Sequence, residues 1–155
     1  MARKHSVYVV VLTWNGKDVT VECLRSVLAV DYPNLHIVVV DNASRDGTPE
    51  TIRTQFSEVA VLENSNNVGY AAGCNVGIRH ALNHEAEYIL LLNNDTVVAR
   101  DMITELVRAM DVSPAAGVLT PHIMRYGGDR IWFMGSRVRP VTLDLLDFGI
   151  GRRSH

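Results

Sequence analysis

Four times in the first two-thirds of the chain, a short uninterrupted apolar run breaks into short polar side chains. Val7-Tyr8-Val9-Val10-Val11-Leu12 leads into Thr13-Trp14-Asn15-Gly16, and Leu35-His36-Ile37-Val38-Val39-Val40 into Asp41-Asn42-Ala43-Ser44. Val59-Ala60-Val61-Leu62 leads into Glu63-Asn64-Ser65-Asn66-Asn67, and Tyr88-Ile89-Leu90-Leu91-Leu92 into Asn93-Asn94-Asp95. A short apolar run without alternation reads as a strand buried on both faces, the habit of parallel sheets covered by helices. Such a strand carries no polar group of its own, so its first polar residues appear where it leaves the sheet. In open α/β sheets ligands bind just beyond the carboxyl ends of the strands. The same polar clusters also read as ordinary turns, which these residues favour through local hydrogen bonds. Spacing alone leaves both readings open.

Helical spacing fills the intervals. Val21, Leu24, Val27 and Leu28 recur on one face, with Asp18 or Thr20 as N-cap, and Pro33 closes the helix. Thr48-Pro49-Glu50 starts a second helix, with Thr48 as cap and Ile52 and Phe56 inside. Ala71 to Gly77, Ile78, Ala81 and Leu82 form a third, although Gly73 and Gly77 each cost roughly 1 kcal/mol relative to alanine. Tolerated glycines imply close approach of something to the backbone, a neighbouring strand or a ligand. Met102, Ile103, Leu106, Val107 and Met110 mark a fourth helix. Gly117 to Pro121 is expected to be a fifth strand of the series and Ile131 to Gly135 a further strand, while Val141 to Phe148 alternates poorly. The alternation predicts an α/β fold, a mostly parallel open sheet with helices on both faces, joined by right-handed crossovers.

The 155 residues suffice for one domain with a real core, and a net charge of −2 gives no reason to expect nucleic acid as a partner. Cys23 and Cys74 sit in helix-like apolar patterns, as buried thiols of a reducing compartment would. No apolar run approaches the ~20 residues that span a bilayer, and the stretch after the basic Met1 to His5 is too short for a signal peptide. A cytoplasmic location is expected, with contact at the cytoplasmic face of a membrane left open. No G-x-G-x-x-G follows the first strand, and neither a P-loop nor a G-x-S-x-G elbow is present. His80 and His84, four apart, read as a solvated helix face rather than a shared metal site.

What remains is Asp41, Asp46 and Asp95 among many amides. An isolated Asp at a strand end suits Mg²⁺ or Mn²⁺, which take one or two carboxylates plus the phosphates of a substrate. Such a cation stabilises a diphosphate leaving group as a Lewis acid.

Four motifs, Val10 to Asn15, Val39 to Thr48, Asn67 to Gly77 and Leu91 to Thr96, resemble in order those of family 2 glycosyltransferases with the GT-A fold. The resemblance covers residues 6 to about 120, and the third motif is most similar to the rhamnosyltransferase-like branch, which often uses a dTDP- or UDP-sugar. It implies a nucleotide-sugar-binding domain over residues 1–120, with 121–155 as an incomplete extension of it. Thr13 and Asn15 match residues that line the nucleotide pocket, and Asp41 matches the acid that bonds the uracil or thymine ring. Asn67, Gly69 and Tyr70 match the loop against the nucleotide, and Asn75 a polar residue facing the same pocket. Asn93-Asn94-Asp95 matches the DXD motif, which makes Asp95 the metal ligand and the two amides, Asn93 and Asn94, donor-binding residues.

The reaction so implied is metal-assisted transfer of a sugar, rhamnose included, to a glycan or lipid-linked acceptor with inversion. An inverting transferase needs a general base. Among Asp101, Glu105, Asp111, Asp129, Asp144 and Asp147 none stands in the acidic motif that supplies it in this family. The alternative is therefore a nucleotide-binding fragment without transfer activity, from a chain cut short. A phosphorylation receiver shares the alternation but needs an acidic pair after its first strand, where this chain has Trp14-Asn15. Trp132, Phe133, Leu145, Leu146 and Phe148 would, without a packing partner, expose an apolar patch able to drive self-association.

Overall fold

The structure, a computed structural model, describes residues 5–138, 145–147 and 150–152, the last strands (137–138 and 145–147) as backbone only. The chain divides into two compact units, Met1–Asp101 and Met102–His155.

The first unit alternates strand and helix: β1 (Val7–Thr13), α1 (Lys17–Leu28), β2 (Leu35–Asp41), α2 (Thr48–Gln55), β3 (Ala60–Glu63), α3 (Tyr70–Asn83) and β4 (Tyr88–Asn93). The four strands form one sheet in the order β3-β2-β1-β4, every pair parallel. The mostly parallel α/β architecture expected from the apolar runs is therefore the one observed. β1 lies in the middle because its aliphatics tolerate burial on both sides: Val9, Val10 and Val11 are essentially inaccessible. One face of the sheet presents Tyr8, Val10, Val38 and Val40 to Ala81 of α3. The residues of opposite parity, Val9, Val11, Ile37 and Val39, are buried with Leu24 and Val27 of α1 and Ile52 of α2.

The register places Thr13 beside Asp41, Asp41 beside Glu63, and Leu12 beside Asn93. All four strands thus end along one edge. The strand order reverses between β1 and β4, since β2 and β3 lie on the other side of β1. That reversal is where a doubly wound sheet opens a crevice.

The two glycines inside α3 are explained by neighbouring strands. A Cβ on Gly77 would collide with Val10 Cγ1 and come within 3.1 Å of Val40 Cγ2. One on Gly73 would stand 2.5 Å from Leu12 Cδ1 and 3.2 Å from the Asn42 amide. His80 and His84 stack on each other with ring centroids 4.2 Å apart, and Tyr8 stacks on His36 at 4.6 Å. Among the described residues no group of three His, Cys, Asp or Glu side chains could hold a metal ion.

The second unit carries α4 (Met102–Val112), the antiparallel pair β5 (Ile123–Met124) and β6 (Ile131–Phe133), and the antiparallel pair β7 (Ser136–Val138) and β8 (Leu145–Asp147). The fifth strand expected at Gly117 to Pro121 is absent. Val118 is 88% exposed there, and the chain forms no regular element before Ile123. A run that starts at glycine and ends at proline lacks one ladder donor and gains nothing without burial. Trp132 is exposed and Phe133 half-buried. Phe148 and Asp144 lie outside the described residues, as do the side chains of Leu145, Leu146 and Asp147. Among the described residues no helix is long and apolar enough to cross a membrane.

Gly77→Ala tests the helix–sheet contact. Helix propensity would favour alanine by about 1 kcal/mol. Overpacking against Val10, which is fixed in the central strand, costs about 1–3 kcal/mol. The expected outcome is net destabilisation, read as a lower urea midpoint, and a smaller loss for Gly73→Ala, whose nearest obstacle is the flexible end of Leu12.

Candidate functional site

The strand ends are laced together by short polar side chains. After β1 and β2 the two loops run side by side. Asn42 N donates to the Thr13 carbonyl (2.9 Å), Asn15 N to Ser44 Oγ (2.8 Å), and Arg45 N to Asn15 Oδ1 (2.8 Å). Asn15 and Ala43 hold φ values of 50° and 61°, a region that asparagine tolerates better than most residues.

Asp46 completes this seam. Neither α1 nor α2 has a side-chain bond from its own N-cap residue, Gly16 or Gly47. Asp46 supplies both: Oδ2 accepts from Lys17 N (3.1 Å), and Oδ1 accepts from Thr48 N (3.1 Å) and Thr48 Oγ1 (2.5 Å). Capping by Asp18, Thr20 or Thr48, expected from spacing, is thus replaced by one carboxylate serving two helices. Partial burial works against its ionisation, but the bonds from Thr48 and Lys17 outweigh that and hold its carboxyl below the usual range.

Asp41 ends β2 and is buried. Its Oδ2 accepts from Ser44 N at 2.7 Å, while Oδ1 is buried with no hydrogen-bond donor. Leaving such an acceptor bare is costly unless something else bonds it.

Asn42, next to it, organises the β3–α3 loop. Its Nδ2 donates to Asn67 Oδ1 (3.3 Å) and the Gly69 carbonyl (3.2 Å), and its Oδ1 accepts from Asn64 Nδ2 (2.8 Å). Asn67 Oδ1 also accepts from Gly69 N at 2.9 Å. Sequence reasoning missed this role, although a buried amide directly after a buried strand-end acid was the available signal. Gly69 stands at φ 81° before α3, and Tyr70 begins the helix with its phenol donating to Asn93 Oδ1 at 3.2 Å. Burial beside Cys74 raises the phenol's pKa, so it stays a neutral donor.

The β4 turn is held from below. Asn94 Nδ2 meets Thr20 Oγ1 at 3.0 Å and Thr13 Oγ1 at 3.3 Å. The Asn93 carbonyl accepts from Thr96 Oγ1 (2.7 Å) and from Cys23 Sγ (3.7 Å). Burial pushes the Cys23 thiol up to about 11, which keeps it a neutral donor. Asp95 is exposed at the top of this turn.

Of the residues singled out from the sequence, Thr13, Asn15, Asp41, Asn67, Gly69, Tyr70, Asn93, Asn94 and Asp95 all lie at the carboxyl edge of the sheet. Asn75 stands on the exposed side of α3, away from the buried Gly73, Gly77 and Ala81, and makes no hydrogen bond with the others. Glu105 lies 3.9 Å from Arg108 on α4.

The family model for glycosyl transferase family 2 matches residues 8–153. The chain belongs to that family. Among curated relatives, the glycosyltransferase GlyG of Streptococcus pneumoniae is 32% identical over 114 residues, covering 72% of this chain and 37% of GlyG. The poly-β-1,6-N-acetyl-D-glucosamine synthase of Staphylococcus epidermidis is 28% identical over 109 residues, 69% of this chain and 26% of the synthase. The chain therefore spans about a third or less of the length of these relatives.

Among solved structures, the mannosyltransferase PcManGT of Pyrobaculum calidifontis, in complex with GDP-Man and Mn²⁺, superposes with a TM-score of 0.67 at 28% identity, over 80% of this chain and 37% of that one. Residues 1–349 of TarS from S. aureus superpose with a TM-score of 0.64 at 22% identity, over 77% of this chain and 39% of that one, and share the fold. These neighbours make the sheet described above a GT-A fold.

Asp46→Ala is expected to lower stability by about 1–2 kcal/mol, since two helix starts lose one cap. Because the folded carboxyl has the lower pKa, the unfolded chain binds more protons in acid. The contribution is complete above the unfolded value of about 3.9 and is lost as pH falls through the folded one. Denaturation midpoints of wild type and Asp46→Ala are thus expected to converge in acid.

Proposed function

We propose that this chain binds the nucleotide-diphosphate part of a sugar donor at the carboxyl edge of its sheet, for glycosyl transfer with inversion. The observation that carries the reading is Asp41 Oδ1, a buried acceptor without a donor at the carboxyl edge of the sheet, on the strand beside β1. A carboxylate oxygen accepts only, so it pairs with a base N–H; in this reading that donor is the ring N–H of uracil or thymine at N3 or guanine at N1, whereas adenine and cytosine offer only an exocyclic amine. Adenine and cytosine present a lone pair at the corresponding ring nitrogen. The two structural neighbours bind donors of the selected kind, GDP-Man in the mannosyltransferase and UDP-GlcNAc in TarS. A dTDP- or UDP-sugar, rhamnose among them, is the reading drawn from the third motif.

In this reading Asn67, Gly69 and Tyr70 edge the pocket on the α3 side, Asn15 on the β1 side and Asn93 at the β4 turn, while Thr13, buried, lies beneath it. Asn75, on the exposed side of α3, is assigned to the donor by motif resemblance only. Asp95 fits a divalent cation, Mg²⁺ or Mn²⁺. It is an exposed single carboxylate on a turn fixed by other residues, and a cation with one protein carboxylate takes its remaining ligands from phosphates and water. Such a cation, when bound, neutralises the charge that develops on the leaving diphosphate.

In the transfer, an acceptor hydroxyl of a glycan or lipid-linked sugar attacks the anomeric carbon. The bond from that carbon to the diphosphate oxygen breaks with its electron pair, and the hydroxyl proton passes to a base. No acid of this chain is assigned that role, which favours a second reading, nucleotide binding without transfer.

Calorimetric titration of the folded chain with UDP, dTDP, GDP, ADP and CDP, with and without Mn²⁺, separates these readings from a structural one. Binding of one or more of the first three is expected, with ADP and CDP weaker by about tenfold or more, the cost of an unpaired buried acceptor. Asp41→Asn is expected to narrow that gap, and Asp95→Ala to abolish the gain from Mn²⁺ while sparing metal-free binding. No nucleotide binding, or equal binding of ADP, would sink the proposal. Sugar transfer by this chain alone would reject the second reading.

A further inference from the structure

Thr20 has one hydroxyl proton, and it lies on the Gly16 carbonyl at 2.6 Å. The Thr13–Thr20 hydroxyl contact, 2.9 Å, must then use the proton of Thr13. Both oxygens are left as acceptors toward the β4 turn, and Asn94 Nδ2 brings two N–H groups to them. The space for this amide is made by Gly16, where a Cβ would stand 2.6 Å from Asn94 Nδ2. Thr13 and Thr20 are both buried, so neither oxygen has water as a substitute.

We propose that Asn94 is a positioning residue: through a donor-only contact with the Thr13–Thr20 hydroxyl pair it fixes the turn that presents Asp95 to the cation. The inference rests on the reading of Asp95 as the cation carboxylate. It assigns the middle amide of Asn93-Asn94-Asp95 to the protein rather than to the donor sugar. An acid at this position could take only the Thr13 proton, breaking the Thr13–Thr20 bond, and would face the Thr20 lone pairs. Asn94→Asp therefore weakens the cation site despite adding a negative charge beside it.

The turn also accepts from Cys23 Sγ at the Asn93 carbonyl, so this buried thiol reports its detachment without any ligand. Iodoacetamide labelling of the free chain gives the rate at Cys23 relative to Cys74. Global unfolding raises both rates, whereas local opening raises Cys23 alone. In Asn94→Ala and Thr20→Val the ratio is expected to rise about tenfold, and in Thr20→Ser, which keeps the hydroxyl, to stay within about twofold of wild type. In the first two variants the Mn²⁺-dependent gain in UDP or GDP affinity is expected to fall about tenfold with metal-free affinity unchanged.

An unchanged labelling ratio overturns the anchor. Equal loss of metal-free and Mn²⁺-supported binding in Asn94→Ala, with Thr20→Val unaffected, makes Asn94 a direct contact of the nucleotide and overturns the proposal. Absence of any Mn²⁺ gain in wild type removes the reading of Asp95, and the positioning role falls with it, while the labelling ratio still shows whether Asn94 holds the turn.

Discussion

Burial of β1 on both faces is the constraint from which the rest follows. A strand with β2 and β4 at its sides, α3 on one face and α1 with α2 on the other is shut off from solvent along nearly all its length, Leu12 alone being partly buried. Every polar group it can offer is forced to its ends. The backbone groups that emerge there still need partners, because unpaired buried N–H and C=O groups are costly. Loops built from Asn, Ser, Thr and Asp meet that need locally. The strand-end cluster is thus first a solution to hydrogen bonding, whatever else it does.

Amides dominate this solution for an electrostatic reason. Asn42, Asn64, Asn67, Asn93 and Asn94 crowd one edge, and as many carboxylates in that volume would repel one another. An amide offers donor and acceptor together, so Asn42 bonds two acceptors and one donor from the same side chain. Two carboxylates stand out against this background. Asp46 is fully engaged by donors, and Asp41 is engaged on one oxygen only. The difference between them, not the number of acids, is what the proposed ligand site rests on.

The strands and the polar edge at which they end were legible from the sequence because uninterrupted Val, Ile and Leu runs leave few alternatives. Boundaries moved by one residue, as at β3, which begins at Ala60 and takes in Glu63. The run at Gly117 to Pro121 misled because apolar composition alone does not bury a segment; Val118 stands in solvent. The roles of Asp46, Asn42 and Asn94 were not legible. Each depends on which face of a strand end the residue takes and on a partner 22 or more positions away, as with Asn42 and Asn64 or Asn94 and Thr20. Parity and register fix such pairings, and neither is written in local composition. The glycines of α3 fit a strand or a ligand equally by composition, and Val10 and Val40 beneath Gly77 decide for the strand there.

The seam between the β1–α1 and β2–α2 loops has a mechanical consequence. With Asn15 tied to Ser44 and Arg45, and Asp46 tied to both helices, these loops form one wall that moves as a body or not at all. The opposite wall, Asn66 to Tyr70, is exposed and is tied to the sheet edge by Asn42, which bonds Asn67 and Gly69, and by Tyr70, which bonds Asn93. A displacement anywhere in the first wall is therefore carried, through the one carboxylate of Asp46, to the starts of both α1 and α2.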